Sequence, residues 1–544
     1  MPSGEPLNTS AGAGTAGADA ARVEVAGAVA PVGGAGAETR APDRVGGSPG
    51  TDSAVPHPRR GLVLAFLMTA VALGSIEGTI VATAMPSIVA ALGGFELYSW
   101  VFASYLLTQA VFTPIAGGIA DRVGRKPVLM VCVTLFLAAS VACGLAGSMR
   151  DLILFRFLQG AGAAGINTMV MTLAGDLFTV RERGRVQAYL ASVWGVSSVL
   201  GPLLGGLIVA NVHWSWVFWF NVPFGLVALI GLGRFLRERV TQTGARVDVL
   251  GSALLLLGVS ALMVLLNMGG RLAAAPRLAL AFVALGSLVA LGRHLHRRQG
   301  GILPVDLWRD RLILLANLSA FVAGVVMIGV ITYAPPYVQG VMGYAPLVAG
   351  FALSTMSLGW PIASSLSGRL LIPLGPATTA RIGGAVGVVG GVMYLLLRPE
   401  LGPVWVAAAS FCIGAAMGFV NTSSIVTIQA AVTWDRRASA TAANLLMRLV
   451  GNSVGAALLG GVLNAAVVAG IDRAGASDML DLASVERLLT PAGTEGLELA
   501  PAAQALLEQV LAGGIERVFV VTALGTFLLL ALTQLWPRSR RLEG

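Results

Sequence analysis

Gly117-Gly118-Ile119-Ala120-Asp121-Arg122-Val123-Gly124-Arg125-Lys126 is a short charged link between two long apolar stretches. Each residue type has a physical use there. Gly117 lets a neighbouring helix approach closely, and Gly124 lets the chain turn tightly without a Cβ. Asp121 stands at a helix end, where a carboxylate can accept hydrogen bonds from arginine side chains or from the N-terminus of another helix. Arg122, Arg125 and Lys126 make the link basic, which marks the cytoplasmic side of a membrane.

On either side of this link the chain is apolar. Only 12% of its 544 residues are charged, against about 25% in a soluble globular protein, because charge inside hydrocarbon is costly. Crossing ~30 Å of hydrocarbon takes about 20 apolar helical residues. Fourteen stretches answer to that, at about 61–85, 99–120, 128–147, 152–174, 187–210, 217–235, 249–268, 277–293, 312–333, 346–367, 381–398, 404–431, 439–469 and 515–536. The eighth is short and flanked by Arg277 and Arg293; with the seventh it could form a shallow hairpin instead.

Loop charge sets direction. With the N-terminus inside, the inner links hold clusters such as Arg181, Arg183 and Arg185, or Arg234, Arg237 and Arg239, while outer links hold isolated arginines such as Arg150, Arg398 and Arg473. Both termini are therefore expected in the cytoplasm. Residues 1–60 are rich in Ala, Gly and Pro and cannot bury a core, so a disordered tail is expected; it lacks the apolar h-region of a signal peptide. The outer link at 471–514 is acidic. Two of its pieces, 479–489 and 506–511, have helical spacing suited to an amphipathic cap.

The net charge of +9 invites a nucleic-acid reading, but the arginines lie in short links between apolar stretches rather than on one soluble face. Cys132, Cys143 and Cys412 all lie within apolar stretches, and the four histidines are scattered. Neither a disulfide framework nor a metal site is indicated. No G-x-x-x-x-G-K-[ST] element and no nucleophile–base pair points to nucleotide chemistry or an enzyme.

The Gly117–Lys126 link resembles the G-x-L-A-D-R-x-G-R-K loop of the major facilitator superfamily, with only Ile119 departing from it, conservatively. In that family the loop latches two six-helix halves together on the cytoplasmic side, a role the resemblance gives to Gly117, Asp121, Arg122, Gly124, Arg125 and Lys126. If the halves are repeats, a second copy belongs after the tenth stretch. There Gly368, Arg369, Leu370 and Gly375 fit, but Ile372 stands where the acid would be.

Three further elements carry the resemblance. Arg156-Phe157-Leu158-Gln159-Gly160-Ala161-Gly162-Ala163-Ala164 is similar to the family's R-x-x-Q-G-x-G-A-A pattern. Arg156 lies ~8 Å of helix rise inside the outer end, so it either snorkels to water or tunes proton release from a nearby acid. Gly195, Gly201, Pro202, Gly205 and Gly206 form a small-residue face that physically indicates tight helix packing and a kink; the G-P-x-x-G-G element is, by resemblance, characteristic of exporters. Trp214-Ser215-Trp216-Val217-Phe218-Trp219-Phe220-Asn221-Val222-Pro223 is similar to the W-R-W-I-F-x-I-N-x-P run of fourteen-helix drug exporters, with Ser215 replacing the arginine. Its tryptophans suit an interfacial belt.

The first apolar stretch contains Ile76-Glu77-Gly78-Thr79-Ile80-Val81-Ala82-Thr83-Ala84-Met85-Pro86, similar to the L-D-x-T-I-V-x-x-A-L-P element of fourteen-helix drug/proton antiporters. Glu77 replaces the commoner Asp. A carboxylate at this depth is suited to hold and release a proton, or to be locked in an ion pair with Arg156. Arg448 is the other deep charge, ~15 Å of helix rise from the inner end; it can meet a substrate or a helix C-terminus. Gln109, Asn421 and Arg448 could line a substrate cavity.

These readings give an all-α integral membrane protein of major facilitator fold. A bundle at 61–236 and a bundle at 312–537 flank two extra spans at 237–311, with a tail at 538–544. The expected function is proton-coupled export of small amphipathic or cationic compounds across a bacterial inner membrane by a monomer without cofactors. A dedicated exporter of one metabolite, antibiotic or lipid uses the same machinery; a non-transporting receptor is the other class.

Overall fold

With no water in the bilayer core to hydrogen-bond an open backbone, apolar runs of this length have the α-helix as their spanning structure. The computed structural model follows that rule. It describes residues 59–178, 180–238, 248–270, 272–297, 305–432, 437–476 and 501–537, and they form helices joined by short turns. The chain divides into two units, Met1–Thr51 and Asp52–Gly544, and every described residue belongs to the second. The N-terminal tail, the acidic link over 477–500, the C-terminal residues 538–544 and the side chains of Arg181, Arg183 and Arg185 lie outside the described residues.

The first bundle comprises α1 (Arg60–Leu92), α2 (Tyr98–Val123), α3 (Arg125–Gly144), α4 (Met149–Leu177), α5 (Val180–Asn211), the single turn α6 (Trp216–Trp219) and α7 (Asn221–Phe235). An inserted pair follows, α8 (Val249–Met268) and α9 (Ala274–Arg297). The second bundle comprises α10 (Arg311–Gly340), α11 (Pro346–Leu374), α12 (Pro376–Leu395), α13 (Gly402–Ala431), α14 (Arg437–Arg473) and α15 (Pro501–Gln534). Among the described residues, twelve helical segments are long and apolar enough to cross a membrane, both inserted helices included. The fourteen-span expectation thus holds for twelve on length and composition. The two long helices outside that set are α4, interrupted by Arg156 and Gln159, and the glycine-rich α12.

Several helices outrun their apolar stretches. The 33 residues of α1 rise about 50 Å, beyond the ~30 Å of hydrocarbon. The largest difference is at α15. Residues 501–514, which composition places in the outer link, are its first turns. Leu507 and Leu511 are fully buried, and Val510 fills the space where a Cβ on Gly470 of α14 would sit. The spacing at 506–511 therefore belongs to the last helix rather than to a separate cap.

The two bundles repeat one another at the α2–α3 and α11–α12 turns. Gly124 ends α2 at φ +98°, its N–H donating to the Ala120 carbonyl; Gly375 ends α11 at φ +78°, donating to the Leu371 carbonyl. Each is followed at once by a 20-residue helix. Gly124 is required by its positive φ. Gly117 is not required by packing, since a Cβ there would meet only a methyl of Thr168 at an ordinary 3.8 Å.

Taking the end with the α2–α3 turn as the lower end, the bundles are joined near the upper one. Tyr98 donates to the Thr332 carbonyl (2.8 Å), Gln339 to the Thr83 carbonyl (3.2 Å), Ser354 to the Val199 carbonyl (3.0 Å) and Ser453 to the Ala103 carbonyl (3.2 Å). One buried apolar cluster spans both bundles there, including Met85, Phe102, Tyr333 and Val338. Lower down each bundle has its own cluster: Leu67, Phe136, Leu173 and Leu190 in the first, Ile313, Ala380, Ile428 and Trp536 in the second. The inserted helix α8 rests on α2 and α14, where Asn267 donates to Ser99 (2.9 Å) and the Ala457 carbonyl (3.4 Å) and accepts from Trp100 (3.1 Å).

Candidate functional site

Glu77 and Arg156, for which an ion pair is one of the two expectations, are in direct contact. Arg156 Nη1 donates to Glu77 Oε1 at 2.5 Å and to Gln159 Oε1 at 2.7 Å, and its Nε donates to the Val101 carbonyl at 3.3 Å. The guanidinium carbon stands 4.2 Å over the ring of Tyr105, a favourable cation–π geometry. The other carboxylate oxygen, Oε2, accepts from Asn221 Nδ2 at 2.5 Å. Gln159 Nε2 continues the network to Ser140 Oγ at 2.9 Å. Arg156 does not snorkel: Glu77 is 0% exposed and Arg156 1%.

Five helices build this cluster: α1 gives Glu77, α2 Tyr105, α3 Ser140, α4 Arg156 and Gln159, and α7 Asn221. Arg156 and Gln159 share a helix face because they are three residues apart. Asn221 lies in the Trp214–Pro223 run, where a neutral amide in an apolar stretch has no pattern to betray its role. That run is also less of a belt than its tryptophans suggest. Trp214 is buried and packs edge-on against Phe218, while Trp216 is exposed. A cleft of about 460 Å³ between α1, α5 and α7, lined by Met68, Leu73, Ile76, Leu200, Phe224 and Asn221 among others, reaches the edge of the cluster.

The small-residue face of α5 divides into separate contacts. A Cβ on Gly201 would strike Thr79, and one on Gly205 would lie 2.8 Å from Thr83 Oγ1, so both press on α1. Gly206 instead faces Pro346 and Leu347 of α11, and Gly350 of α11 faces the carbonyl of Pro202. That carbonyl accepts from Thr83 Oγ1 at 3.1 Å. Around Gly195 there is open space for a Cβ, so this residue is not part of the tight packing.

The Gly117–Lys126 link is tied to its own bundle. Arg125 forms an ion pair with Asp176 at the end of α4. Lys126 Nζ donates to the carbonyls of Gly233 (2.8 Å) and Leu236 (2.6 Å) at the end of α7. Glu238, an acid that belongs to none of the motifs, accepts from the backbone N–H groups of Arg125 and Lys126, both at 2.7 Å. It thereby caps the N-terminus of α3, where a carboxylate is favoured. Of the cavity candidates, Gln109 is buried, Asn421 half-buried and Arg448 half-buried. No hydrogen bond links the three among the described residues. Among those residues no group of three or more His, Cys, Asp or Glu could hold a metal ion.

A family model described as Major Facilitator Superfamily matches residues 66–456. The chain is 34% identical over 409 residues to the Multidrug transporter protein MdtP of Bacillus subtilis (strain 168), covering 74% of this chain and 75% of that protein. It is 31% identical over 402 residues to Multidrug resistance protein 3 of the same organism, covering 73% and 77%. Among solved structures it is similar to a bacterial homolog of the human lysosomal transporter Spinster in an inward-facing, occupied conformation. The TM-score is 0.60 at 19% identity, over 89% of this chain and 98% of that one. These relatives and neighbours are transporters, not enzymes.

Proposed function

The chain belongs to the Major Facilitator Superfamily, and from that premise we propose that this membrane transporter is a proton-driven exporter of small amphipathic compounds working by alternating access. The similarity to two multidrug proteins supports export. The observation that carries proton coupling is the sealed carboxylate. Glu77 is fully buried and shared between Arg156 and Asn221, so gain or loss of its charge must rearrange contacts among α1, α4 and α7. Ionisable groups at membrane depth are usually functional. The test is flux in proteoliposomes, using compounds against which the chain protects an efflux-deficient host. Efflux is expected to follow an imposed pH gradient and to reverse with it; movement indifferent to the gradient sinks the reading.

We further propose that all fourteen long helices cross, because α4 packs along α2 and α3, and α12 along α13 and α15, all of them candidate spans. With both termini in the cytoplasm of a bacterial inner membrane, the lower end is cytoplasmic, and the joined upper cluster means the structure is closed outward. In a cysteine-free background, cysteine replacing the exposed Glu400 is expected to react with an impermeant thiol reagent from outside. Cysteine replacing the exposed Leu535 is expected to react only once the membrane is opened. The opposite pattern inverts the topology.

The Gly117–Lys126 link then acts as a latch whose Arg125 and Lys126 are held within their own bundle in this conformation and which locks the two bundles together when the cytoplasmic ends close. Asp121 is its acid, and the second copy has Ile372 at the equivalent place. Asp121→Asn is expected to insert and fold normally but to cut transport about tenfold or more, the effect of losing a charge-assisted hydrogen bond from one end state. Undiminished efflux by a well-expressed Asp121→Asn protein discards the latch role for this residue.

A further inference from the structure

We propose that Arg448 and Trp360 form the binding site for the anionic group of an amphipathic substrate, so that the exported class is organic acids with an apolar body. The proposal rests on the exporter reading above and adds the substrate's charge to it. Among the described residues three charges lie deep in the bundles: Glu77, Arg156 and Arg448. The first two neutralise each other. No carboxylate pairs with Arg448 among the described residues, which leaves one uncompensated positive charge.

Its position argues against an arginine that merely reaches for the membrane surface. The guanidinium carbon lies 5.2 Å from the centre of the Trp360 ring, and Trp360 is fourteen residues from either end of Pro346–Leu374. The cation is thus held at the mid-height of α11. Thr441, Asn444, Arg448 and Asn452 follow one face of α14 at spacings of 3, 4 and 4. Thr441 accepts from Gln429 (3.3 Å), and Asn444 donates to Asn317 (3.1 Å) and the Ala316 carbonyl (3.2 Å). Asn444 and Asn452 are buried, whereas Arg448 between them is only partly buried and makes no hydrogen bond among the described residues. Its guanidinium nitrogens are not among the fully sealed polar atoms that lack a partner.

An indole face orients a guanidinium but does not neutralise it. The N–H edge remains free for bidentate pairing with a carboxylate, sulfonate or phosphonate. Among the described residues no acid pairs with Arg448, and Glu77 is sealed, so a cationic substrate would find no counter-charge at this site. Exchanging an organic anion outward for a proton inward also moves net charge along an inside-negative potential, so both components of the proton gradient would drive the cycle.

One naphthalene skeleton in three charge states provides the test: 2-naphthylacetate, 2-naphthylacetamide and 2-naphthylmethyl-trimethylammonium. Equilibrium binding of each, radiolabelled, is measured on full-length protein in nanodiscs. Wild type is expected to bind the acetate most tightly. Arg448→Gln should weaken the acetate about tenfold or more, the scale of a charged hydrogen bond, and leave the other two within about twofold; Arg448→Lys should fall between. A wild type that does not prefer the acetate overturns the proposal, as does an Arg448→Gln protein that keeps acetate binding or loses all three probes alike. Arg448-dependent acetate binding without gradient-driven flux would leave this site standing and sink the exporter reading. Gradient-driven flux of the trimethylammonium probe alone would do the reverse.

Discussion

In proteoliposomes the Glu77→Gln protein is expected to lose pH-gradient-driven efflux entirely while retaining gradient-independent exchange of substrate across the membrane. Glutamine has nearly the shape of a protonated glutamate and cannot release a proton. A carrier that no longer needs the proton can still reorient when loaded, so exchange survives, but nothing ties its reorientation to the gradient. The structure offers a route from the acid to the closure at the upper end. Glu77 and Thr83 lie on α1, about 9 Å apart in helix rise. Thr83 contacts both flanks of the closure: its carbonyl accepts from Gln339 of α10, and its hydroxyl donates to the Pro202 carbonyl of α5. Gly350 of α11 lies against that same carbonyl. A shift of α1 when Glu77 changes its contacts to Arg156 and Asn221 therefore reaches the residues that hold the upper ends together. The decisive measurement is substrate-induced proton release from solubilised protein. Release by Glu77→Gln equal to wild type would put the coupling carboxylate elsewhere, with Asp121 next.

Residue type decided what could be read beforehand. Charges in apolar stretches stand out because each is costly there, which is why Glu77, Arg156 and Arg448 were found without coordinates. Their pairing was only one of two readings, since helix rise gives depth but not the neighbour a side chain faces. The neutral groups that complete the cluster, Asn221, Gln159, Ser140 and Tyr105, were invisible as a set because they come from four different helices and carry no mutual spacing. Turn glycines were legible where backbone geometry demands them: Gly124 and its counterpart Gly375 both sit at positive φ. Packing glycines were not separable by sequence. Gly201 and Gly205 are pressed against α1, whereas Gly117 and Gly195, equally prominent in their motifs, meet ordinary contact or open space. Helix ends were missed in one direction. Apolar character stops where water begins, but the hydrogen-bonded helix continues, as in the first turns of α15.

Removing Arg156 is expected to cost more stability than removing the charge of Glu77, and removing both charges less than removing Arg156 alone. Arg156→Met strands a carboxylate that is 0% exposed, with only the neutral side chains of Asn221 and Gln159 beside it in the cluster. An uncompensated buried charge of this kind costs about 3–5 kcal/mol. Glu77→Gln also leaves one charge, but Arg156 keeps Gln159, the Val101 carbonyl and the face of Tyr105, so its penalty should be smaller. In Glu77→Gln/Arg156→Met no charge is left unpaired, and replacing a buried ion pair by apolar or neutral groups is often neutral or even stabilising, by up to about 4 kcal/mol. Unfolding of the four proteins in one detergent reads this order directly. The double variant should regain stability toward wild type without regaining pH-driven efflux, which separates the pair's part in folding from its part in coupling. If the double variant recovers uphill transport, the ion pair serves only to keep its own charges satisfied. If Arg156→Met is as stable as wild type, the contact between the two side chains does not bear on folding, and Glu77 must be held by other means.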